Sequence, residues 1–186
     1  MKKLLLPALL ILFSLSSLAQ SDSEMKAWQA YMTPGEMHKR LAASVGNWKG
    51  EITIWTAPGT QPMKSTGTAK NEMIMGGRYL QSSNTGNFMG MPFEGTGITA
   101  YDNAKKVFVN TWIDNMGTGI MISEGKWNPA KNAIEFSGKQ TDPMTGKEMK
   151  FRETFTINAD GSQLLEMWME VDGKEFKSME VKYTKA

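Results

Sequence analysis

Hydrophobic and polar residues alternate in short runs along most of this chain, from Asn47 to Thr184. The runs have the period of two that is typical of β-strands with one buried face, and turn residues separate them about every ten positions. The predicted strands are Asn47–Thr56, Met63–Met75, Arg78–Asn87, Phe93–Tyr101, Lys106–Asp114, Gly119–Trp127, Ala133–Lys139, Glu148–Asn158, Gln163–Val171 and Glu175–Thr184. Because the links between them are short, consecutive strands are expected to pair antiparallel. A meander of this length has to curl or close to hide its edges, so the pattern predicts an all-β, up-and-down β-barrel of about ten strands.

The residues before the strands follow a helical pattern instead. Ser23 is predicted to cap a helix over 24–31, and Thr33 to cap a second helix. Apolar residues at a spacing of four give the second helix one stripe suited to burial, formed by Met37, Leu41 and Val45. We therefore expect a helical segment at residues 20–45, followed by a barrel domain at 46–186.

Residues 1–19 have the features of a secretory signal peptide. Lys2 and Lys3 precede an apolar run over 4–13, and small residues stand at the expected cleavage site before Gln20. The run is too short for a membrane span, which needs about 20 apolar residues, and no later segment is long and apolar enough. We expect a protein without a transmembrane span that is exported to the periplasm or the exterior.

Composition and charge exclude several classes of function. The chain has 186 residues, with 21 Lys and Arg, 19 Asp and Glu, no cysteine and one histidine, His38. Loss of Lys2 and Lys3 with the signal would leave equal numbers of bases and acids, which argues against nucleic-acid binding. Disulfides, iron–sulfur clusters and Cys/His zinc sites are excluded. His38 is expected to be a partly exposed helix residue, and we expect no metal and no cofactor.

One hairpin allows its register to be predicted. If 159–161 is a three-residue loop, Asn158 pairs with Ser162. One face of the hairpin is then almost wholly apolar and should look inward; it carries Phe151, Phe155, Ile157, Leu165, Met167 and Met169. Glu153 is a lone carboxylate on that face, and Glu166 falls on the other. This separation argues against an acid–base pair formed by the two glutamates.

No catalytic sequence signature is present. The segment Asp142–Glu148 lacks the alternating acids of a calcium-binding loop and is predicted to be a turn, like Asp102-Asn103 and Asp114-Asn115.

Methionine is frequent, with 16 in the chain. Five lie near predicted strand ends and loops: Met73, Met75, Met89, Met91 and Met116. Such flexible side chains suit a cavity that adapts to varied apolar ligands, although filling of the core is the interpretation we favour. The tryptophans in predicted strands are expected to pack in the core or barrel wall: Trp48, Trp55, Trp112, Trp127 and Trp168.

Glycine-rich segments mark three further features. Gly76-Gly77 is predicted to form a sharp bend between two strands. The segment 88–95 is predicted to be a loop with apolar tips: a cavity lid, a surface for a partner, or a loop folded back onto the barrel mouth. Arg78 either pairs with an anionic ligand in the cavity or forms an internal salt bridge to Glu94 or Asp114, and we favour the salt bridge.

Several motifs together carry a family resemblance. They are Gly46-Asn47-Trp48, Gly76-Gly77-Arg78-Tyr79, Met89-Gly90-Met91-Pro92-Phe93-Glu94-Gly95, Tyr101-Asp102-Asn103, Trp112-Ile113-Asp114-Asn115-Met116-Gly117-Thr118, Glu124-Gly125, Asp142-Pro143 and Gly146-Lys147. The first is similar to the Gly-x-Trp start of lipocalin-like (calycin) barrels. The whole set resembles the bacterial family known as domain of unknown function 1579, from about Met37 to Tyr183.

The resemblance implies a lipocalin-like barrel with no established activity. Related barrels include carriers of small apolar ligands and haem-binding nitrobindin-like proteins. The haem-binding branch relies on a histidine late in the chain, whereas His38 precedes the barrel here.

We therefore expect a binding protein that holds a small apolar or amphipathic molecule in its barrel. The predicted ligand-binding residues are Arg78, Tyr101, Trp112, Asp114, Phe151, Glu153, Met167 and Met169. One alternative is an isomerase or hydrolase that uses Arg78, Tyr101, Asp114 or Glu153 in the same cavity, by analogy with other barrels of this type. Another is a cell-envelope interaction module that binds a protein through its loop at 88–93. The identity of the ligand and the oligomeric state are not specified by the sequence.

Overall fold

A computed structural model of the chain describes residues 22–171 and 173–186, which fall into two units. The described part of the first unit, which ends at Thr33, contains helix α1 at 22–32. The second unit, Pro34–Ala186, contains helix α2 (Glu36–Ala42) and ten strands. The predicted signal peptide at 1–19 lies outside the described residues.

The predicted antiparallel barrel is confirmed. The strands follow one another around a closed barrel in sequence order, and β1 pairs with both β2 and β10. Their bounds are β1 Gly46–Ile54, β2 Met63–Ile74, β3 Tyr79–Phe88, β4 Met91–Asp102, β5 Val107–Asp114, β6 Met121–Asn128, β7 Ala133–Thr141, β8 Glu148–Ile157, β9 Gln163–Val171 and β10 Lys174–Lys185. Every end lies within two residues of its predicted position. Closure leaves no unpaired edge in the sheet that residues 46–171 and 174–185 form.

The start of α2 differs from the prediction. The helix begins at Glu36 behind Gly35, while the Thr33 hydroxyl donates a hydrogen bond to the carbonyl oxygen of Gln29 at 2.6 Å. The Gly35 amide donates to Nδ1 of His38 at 3.0 Å. His38 is buried, with 6% of its surface exposed, and not partly exposed as predicted. Its ring nitrogen occupies the place of the Glu or Gln acceptor in a capping box.

Helix α2 packs against β2, β3 and β4 and covers one end of the barrel. Its Leu41 belongs to a buried apolar cluster with Leu80, Phe108, Ile134 and Phe136. The Arg40 guanidinium lies 4.4 Å from the centroid of the Trp127 ring, and His38 meets Tyr101 edge to face. The helix thus closes the end of the barrel at which the β2–β3, β4–β5, β6–β7 and β8–β9 links lie.

The register predicted for the β8–β9 hairpin is confirmed. Glu153 pairs with Met167 and Phe155 with Leu165, and Gly161 takes the positive φ of 83° that the loop requires. The hairpin therefore presents its apolar face, with Glu153, to the barrel interior.

The opposite face of this hairpin carries charged residues. Glu166 lies on the outer surface and forms an ion pair with Lys177. The two glutamates of the hairpin are therefore on different sides of the barrel wall, as predicted.

Three predicted turns are held by aspartate side chains. Asp102, Asp114 and Asp142 each accept a hydrogen bond from the backbone amide two residues further on, at 2.8 to 2.9 Å. Such turns use the carboxylate to fix the local backbone, and they confirm the interpretation of these segments as turns.

The segment 88–95 is not the long loop that was predicted. Phe88 pairs with Met91, so the link is the two-residue turn Met89-Gly90, and β4 continues from Met91. Both turn residues have positive φ, 54° and 85°, as a type I′ turn requires. Phe88 and Phe93 line the barrel interior, which leaves the methionine of the turn exposed.

None of the helices formed by residues 22–171 and 173–186 is long and apolar enough to cross a membrane.

Candidate functional site: a cavity inside the barrel

The barrel encloses a cavity of about 420 Å³. This volume is within the range of small-molecule sites, roughly 300–1,000 Å³. Helix α2 covers one end, and the other end is surrounded by the links between β1 and β2, β3 and β4, β5 and β6, β7 and β8, and β9 and β10. We call this second end the mouth.

The two sides of the cavity differ in polarity. Strands β2 to β6 contribute large apolar side chains (Leu80, Phe88, Phe93, Trp112, Met121 and Trp127) together with most of the short polar ones: Ser65, Asn71, Ser82, Asn84, Thr99, Asn110 and Ser123. Strands β7 to β10 and β1 contribute mainly apolar ones: Ile134, Phe136, Phe151, Phe155, Ile157, Leu165, Met167, Met179, Val181, Ile52 and Ile54. We call the short polar side chains of the first set the polar wall and the second set the apolar wall. A mostly apolar molecule with polar groups on one side matches this lining.

Glycines on the inner face leave room for the aromatic rings of the apolar wall. A Cβ atom at Gly125 would lie 2.7 Å from the Phe136 ring, and one at Gly138 would lie 2.6 Å from the Phe151 ring. Cβ atoms do not make contacts this short, so any larger residue would push the rings into the cavity. The glycines therefore set the width of the cavity.

Glu153 is a carboxylate within the apolar wall. Its cross-strand partners are Phe136 on β7 and Met167 on β9, and Phe151 and Phe155 flank it on the same face of β8. None of the described residues forms a hydrogen bond or ion pair with its carboxylate, which faces the cavity. Burial raises the pKa of Glu153 from 4.5 to about 7. The carboxyl group is thus close to half protonated at neutral pH.

Tyr183 is a second titratable group in the cavity. It lies on β10, opposite Gly50 of β1 and Gln163 of β9. Burial, and after it the charge of Glu153, raise the pKa of Tyr183 to about 12. The hydroxyl therefore stays neutral at physiological pH and can donate or accept a hydrogen bond.

Three buried polar atoms of the cavity have no hydrogen-bond partner among the described residues. They are Nε of Arg40, Oδ1 of Asn71 and Nε2 of Gln163. Buried polar atoms almost always have a partner, and ordered water commonly supplies one where the protein does not.

The cavity contains five of the eight predicted ligand-binding residues. These are Trp112, Asp114, Phe151, Glu153 and Met167. Asp114 accepts a hydrogen bond from Nε1 of Trp112 at 2.8 Å and holds the turn at the mouth, so both of its carboxylate oxygens have partners within the protein.

The other three predicted residues do not line the cavity. The Tyr101 ring lies under α2, 4.9 Å from the centroid of Phe108, and Met169 lies on β9 near the mouth against the Gln140 amide. Arg78 stands in the β2–β3 link at the α2 end, where its Nη1 donates to the Met75 carbonyl at 3.1 Å.

Neither predicted salt bridge of Arg78 can form. Glu94 lies near the start of β4 and Asp114 at the end of β5, both at the mouth, whereas Arg78 lies at the opposite end of the barrel. Alternation along a strand predicts which side chains point into the barrel. It does not by itself show at which end of the barrel a turn lies.

The sequence reasoning missed Tyr183 and most of the polar wall. On β3, serine and asparagine occur on both faces, so alternation does not reveal which of Ser82, Ser83 and Asn84 point inward. The inward positions could have been found from β4, where Gly95 and Gly97 pair with Asn84 and Ser82. Among the described residues, no three His, Asp or Glu side chains come together as metal ligands would.

Comparison with known proteins supports the fold. The profile of a family described as "Protein of unknown function (DUF1579)" matches residues 33–185. Rv2717c from M. tuberculosis, whose crystal structure is known, superposes with a TM-score of 0.59 at 14% identity, covering 83% of this chain and 99% of that chain. At this identity the likeness shows the fold alone. No match was found among curated proteins.

Proposed function

The chain belongs to the DUF1579 family of proteins of unknown function, and we propose that it binds a small apolar or amphipathic molecule inside its barrel. The observation that supports this proposal is the cavity of about 420 Å³, which has a mainly apolar lining and carries most of its short polar side chains on one side. Burial of apolar surface contributes about 25 cal/mol per Å², so the apolar wall supplies affinity. Polar side chains of the opposite wall orient the ligand.

The unpartnered atoms of Arg40, Asn71 and Gln163 also support binding of a molecule with polar groups. They offer two donors and one acceptor near the α2 end of the cavity. A bound molecule that satisfies them avoids the cost of leaving buried polar groups unpaired, about 1–3 kcal/mol each.

Flexible side chains at the mouth suit the entry of a ligand. Met116 lines the cavity and has 40% of its surface exposed, and Met89 and Met144 on neighbouring links are more exposed still. Methionine adapts its shape at little cost, so these side chains can move aside and close again.

The arrangement supports binding more than catalysis. Of the four residues considered for an enzyme, Arg78 and Tyr101 lie outside the cavity that holds Asp114 and Glu153. Asp114 is already hydrogen-bonded within the protein. An acid–base reaction needs at least two such groups within reach of one point, which these four do not provide.

Two neighbouring serines allow a matched test of binding in the cavity. Ser82 points into the cavity from β3, and Ser83 lies exposed on the outer face of the same strand. The apolar fluorophore N-phenyl-1-naphthylamine is titrated into wild type, Ser82→Trp and Ser83→Trp. We expect one site in wild type and Ser83→Trp, and an affinity about tenfold or more lower in Ser82→Trp because the indole fills the cavity.

The titration contradicts the proposal if the probe binds all three proteins equally or binds none of them. Thermal unfolding of both variants serves as the control for folding. An equal melting temperature in the two variants assigns a loss of binding to the filled cavity.

We also propose that the protein is exported, on the basis of the charged start and apolar run within residues 1–19. Expression of the full chain in a bacterium, followed by fractionation and intact-mass measurement, tests this proposal. The expected result is a periplasmic or extracellular product that begins at Gln20. A full-length protein retained in the cytoplasm contradicts it.

A further inference from the structure

Glu153 is the feature of the cavity that its apolar surroundings do not explain. A carboxylate is costly to bury unless it is paired, and none of the described residues supplies a cation or a hydrogen-bond donor to it. Leucine or methionine would fill the same space at no such cost. Glu153 is half-buried and faces the cavity, so its partner is water or a polar group of a bound molecule.

None of the other charged or titratable side chains described in the cavity supplies a cation to Glu153. Arg40 forms an ion pair with Glu36 at 3.5 Å and stacks on Trp127 at the α2 end. Asp114 belongs to the mouth side of β5, and the Tyr183 hydroxyl is neutral. The elements on either side of Glu153, β7 and β9, face it with the uncharged Phe136 and Met167.

The apolar groups around Glu153 suit one class of ligand group. Phe136 lies directly across the sheet, where side chains are about 5 Å apart, and Phe151 and Phe155 stand on either side of Glu153 on its own strand. Aromatic faces attract cations, whereas they offer nothing to a neutral carbonyl or to an anion. A carboxylate with phenylalanine side chains at three neighbouring positions of the wall therefore suits an ammonium group.

We propose that the ligand is a lipophilic amine, whose cationic nitrogen pairs with Glu153 and whose apolar part lies along the apolar wall. This inference rests on the proposed function, because it names the chemical class of the molecule that the cavity binds. The Tyr183 hydroxyl, on β10, provides a further acceptor for an ammonium hydrogen within the same cavity.

Proton linkage follows from this pairing. An amine that binds the ionised carboxylate displaces the proton that Glu153 carries at low pH. The carboxyl group is mostly protonated at pH 6 and mostly ionised at pH 8, because its pKa is about 7. Tyr183 stays neutral over this range, and His38, whose pKa is lowered by burial, does not line the cavity.

Three probes of equal chain length separate the possible ligand classes: decylamine, 1-decanol and decanoate. Each is titrated by calorimetry at pH 8 into wild type, Glu153→Gln and the control Glu51→Gln, whose side chain is exposed on the outer face of β1. We expect wild type and Glu51→Gln to bind decylamine about tenfold or more tightly than decanol. Glu153→Gln should lose that preference and keep its affinity for decanol within about twofold.

Two further measurements test whether binding of the amine is linked to deprotonation of Glu153. Wild type should bind decylamine about tenfold more weakly at pH 6 than at pH 8, and binding at pH 6 should release a proton, detected in buffers of different ionisation enthalpy. Neither effect should occur in Glu153→Gln.

Three results would contradict the proposal of an amine ligand without affecting the proposal of binding in the cavity. They are equal affinity for decylamine and decanol, tighter binding of decanoate than of decylamine, and an unchanged preference for decylamine in Glu153→Gln. Failure of all three probes, together with failure of the neutral fluorophore, would instead overturn the proposed function itself. The two failures are thus distinguishable.

Discussion

Glu153 on β8 and Tyr183 on β10 are coupled electrostatically inside the barrel. Burial raises the pKa of both groups, and the charge of Glu153 raises that of Tyr183 further. Both side chains line the same cavity. Titration of one carboxyl group therefore changes the charge of the whole binding site.

The burial of Glu153 predicts that stability falls as pH rises. The unfolded chain releases this proton near pH 4.5, whereas the folded protein keeps it until about pH 7. Between these values the unfolded state binds fewer protons, so the free energy of unfolding decreases by up to about 3 kcal/mol and then levels off. Glu153→Gln should match wild type at pH 4.5 and exceed it above pH 7.

Urea unfolding at pH 4.5, 6 and 8 measures this difference. Glu51→Gln, on the exposed outer face of β1, is the control and should follow wild type at every pH. A constant difference between Glu153→Gln and wild type across the three pH values would contradict the assignment of a buried titrating carboxyl group.

The burial of His38 predicts that stability falls as pH decreases, which is opposite to the effect of Glu153. Burial, and after it the charge of Arg78, lower the pKa of His38 below 6.5, so the folded protein keeps it neutral where the unfolded chain takes up a proton. Stability from this residue is therefore lost as pH falls below 6.5. His38→Gln retains an acceptor for the Gly35 amide but does not titrate, so it should lose less stability than wild type between pH 6.5 and 5.

His38→Ala removes the acceptor altogether and provides the comparison. It should be less stable than His38→Gln by about 1 kcal/mol or more at pH 7, the usual cost of a lost helix cap. Thermal unfolding of both variants distinguishes the cap from the titration. Equal stability of the two at neutral pH would show that the hydrogen bond to Gly35 contributes nothing.

The close packing around Gly125 predicts that an added methyl group destabilises the protein. A Cβ atom there would lie 2.6 Å from the Glu135 carbonyl oxygen and 2.7 Å from the Phe136 ring. Gly125→Ala should destabilise the protein by about 1–3 kcal/mol, since backbone and ring have to shift. Gly117→Ala, where a Cβ atom meets nothing within 4 Å, should be neutral or slightly stabilising in the same unfolding assay. Similar losses in both variants would mean that the close approach is unimportant.

The Met89-Gly90 turn predicts a stabilising substitution. Met89 has a φ of 54°, a left-handed conformation that is unfavourable for methionine. Because 68% of its surface is exposed, packing does little to offset this strain. Met89→Asn should raise the free energy of unfolding by about 0.5–1 kcal/mol, because Asn-Gly is favoured in type I′ turns. Met91→Asn lies in the strand and should not stabilise. A loss in Met89→Asn as large as in Met91→Asn would contradict this account of the turn.

The sequence predicted the barrel well because its information is local. Alternation and turn residues placed each strand, and the three-residue loop ending at Gly161 fixed the register of Glu153 against Met167. The register of the β9–β10 hairpin could not be predicted in the same way, for a physical reason. The register shifts between Lys177 and Met179, and the resulting bulge interrupts the alternation. Asp172, which follows Val171 in the sequence, lies outside the described residues.

The cavity was less predictable because it depends on relations across the barrel. Arg78 and Tyr101 were assigned to the site from chemistry alone, but the β2–β3 link and the end of β4 place them at the α2 end. Tyr183 enters the site only because β10 closes the barrel against β1. No local pattern records which strands meet when a sheet closes.

Methionine methyl groups provide the most direct test of binding inside the barrel. Met167 and Met179 line the cavity, whereas Met75 and Met144 have 71% and 91% of their surface exposed. In protein labelled with ¹³C at the methionine methyl carbons, each resonance is assigned by single substitution, and N-phenyl-1-naphthylamine is added to saturation. The account predicts that the Met167 and Met179 resonances shift while those of Met75 and Met144 stay in place. Shifts confined to Met75 and Met144, or no shift of Met167 and Met179 at saturation, would contradict it.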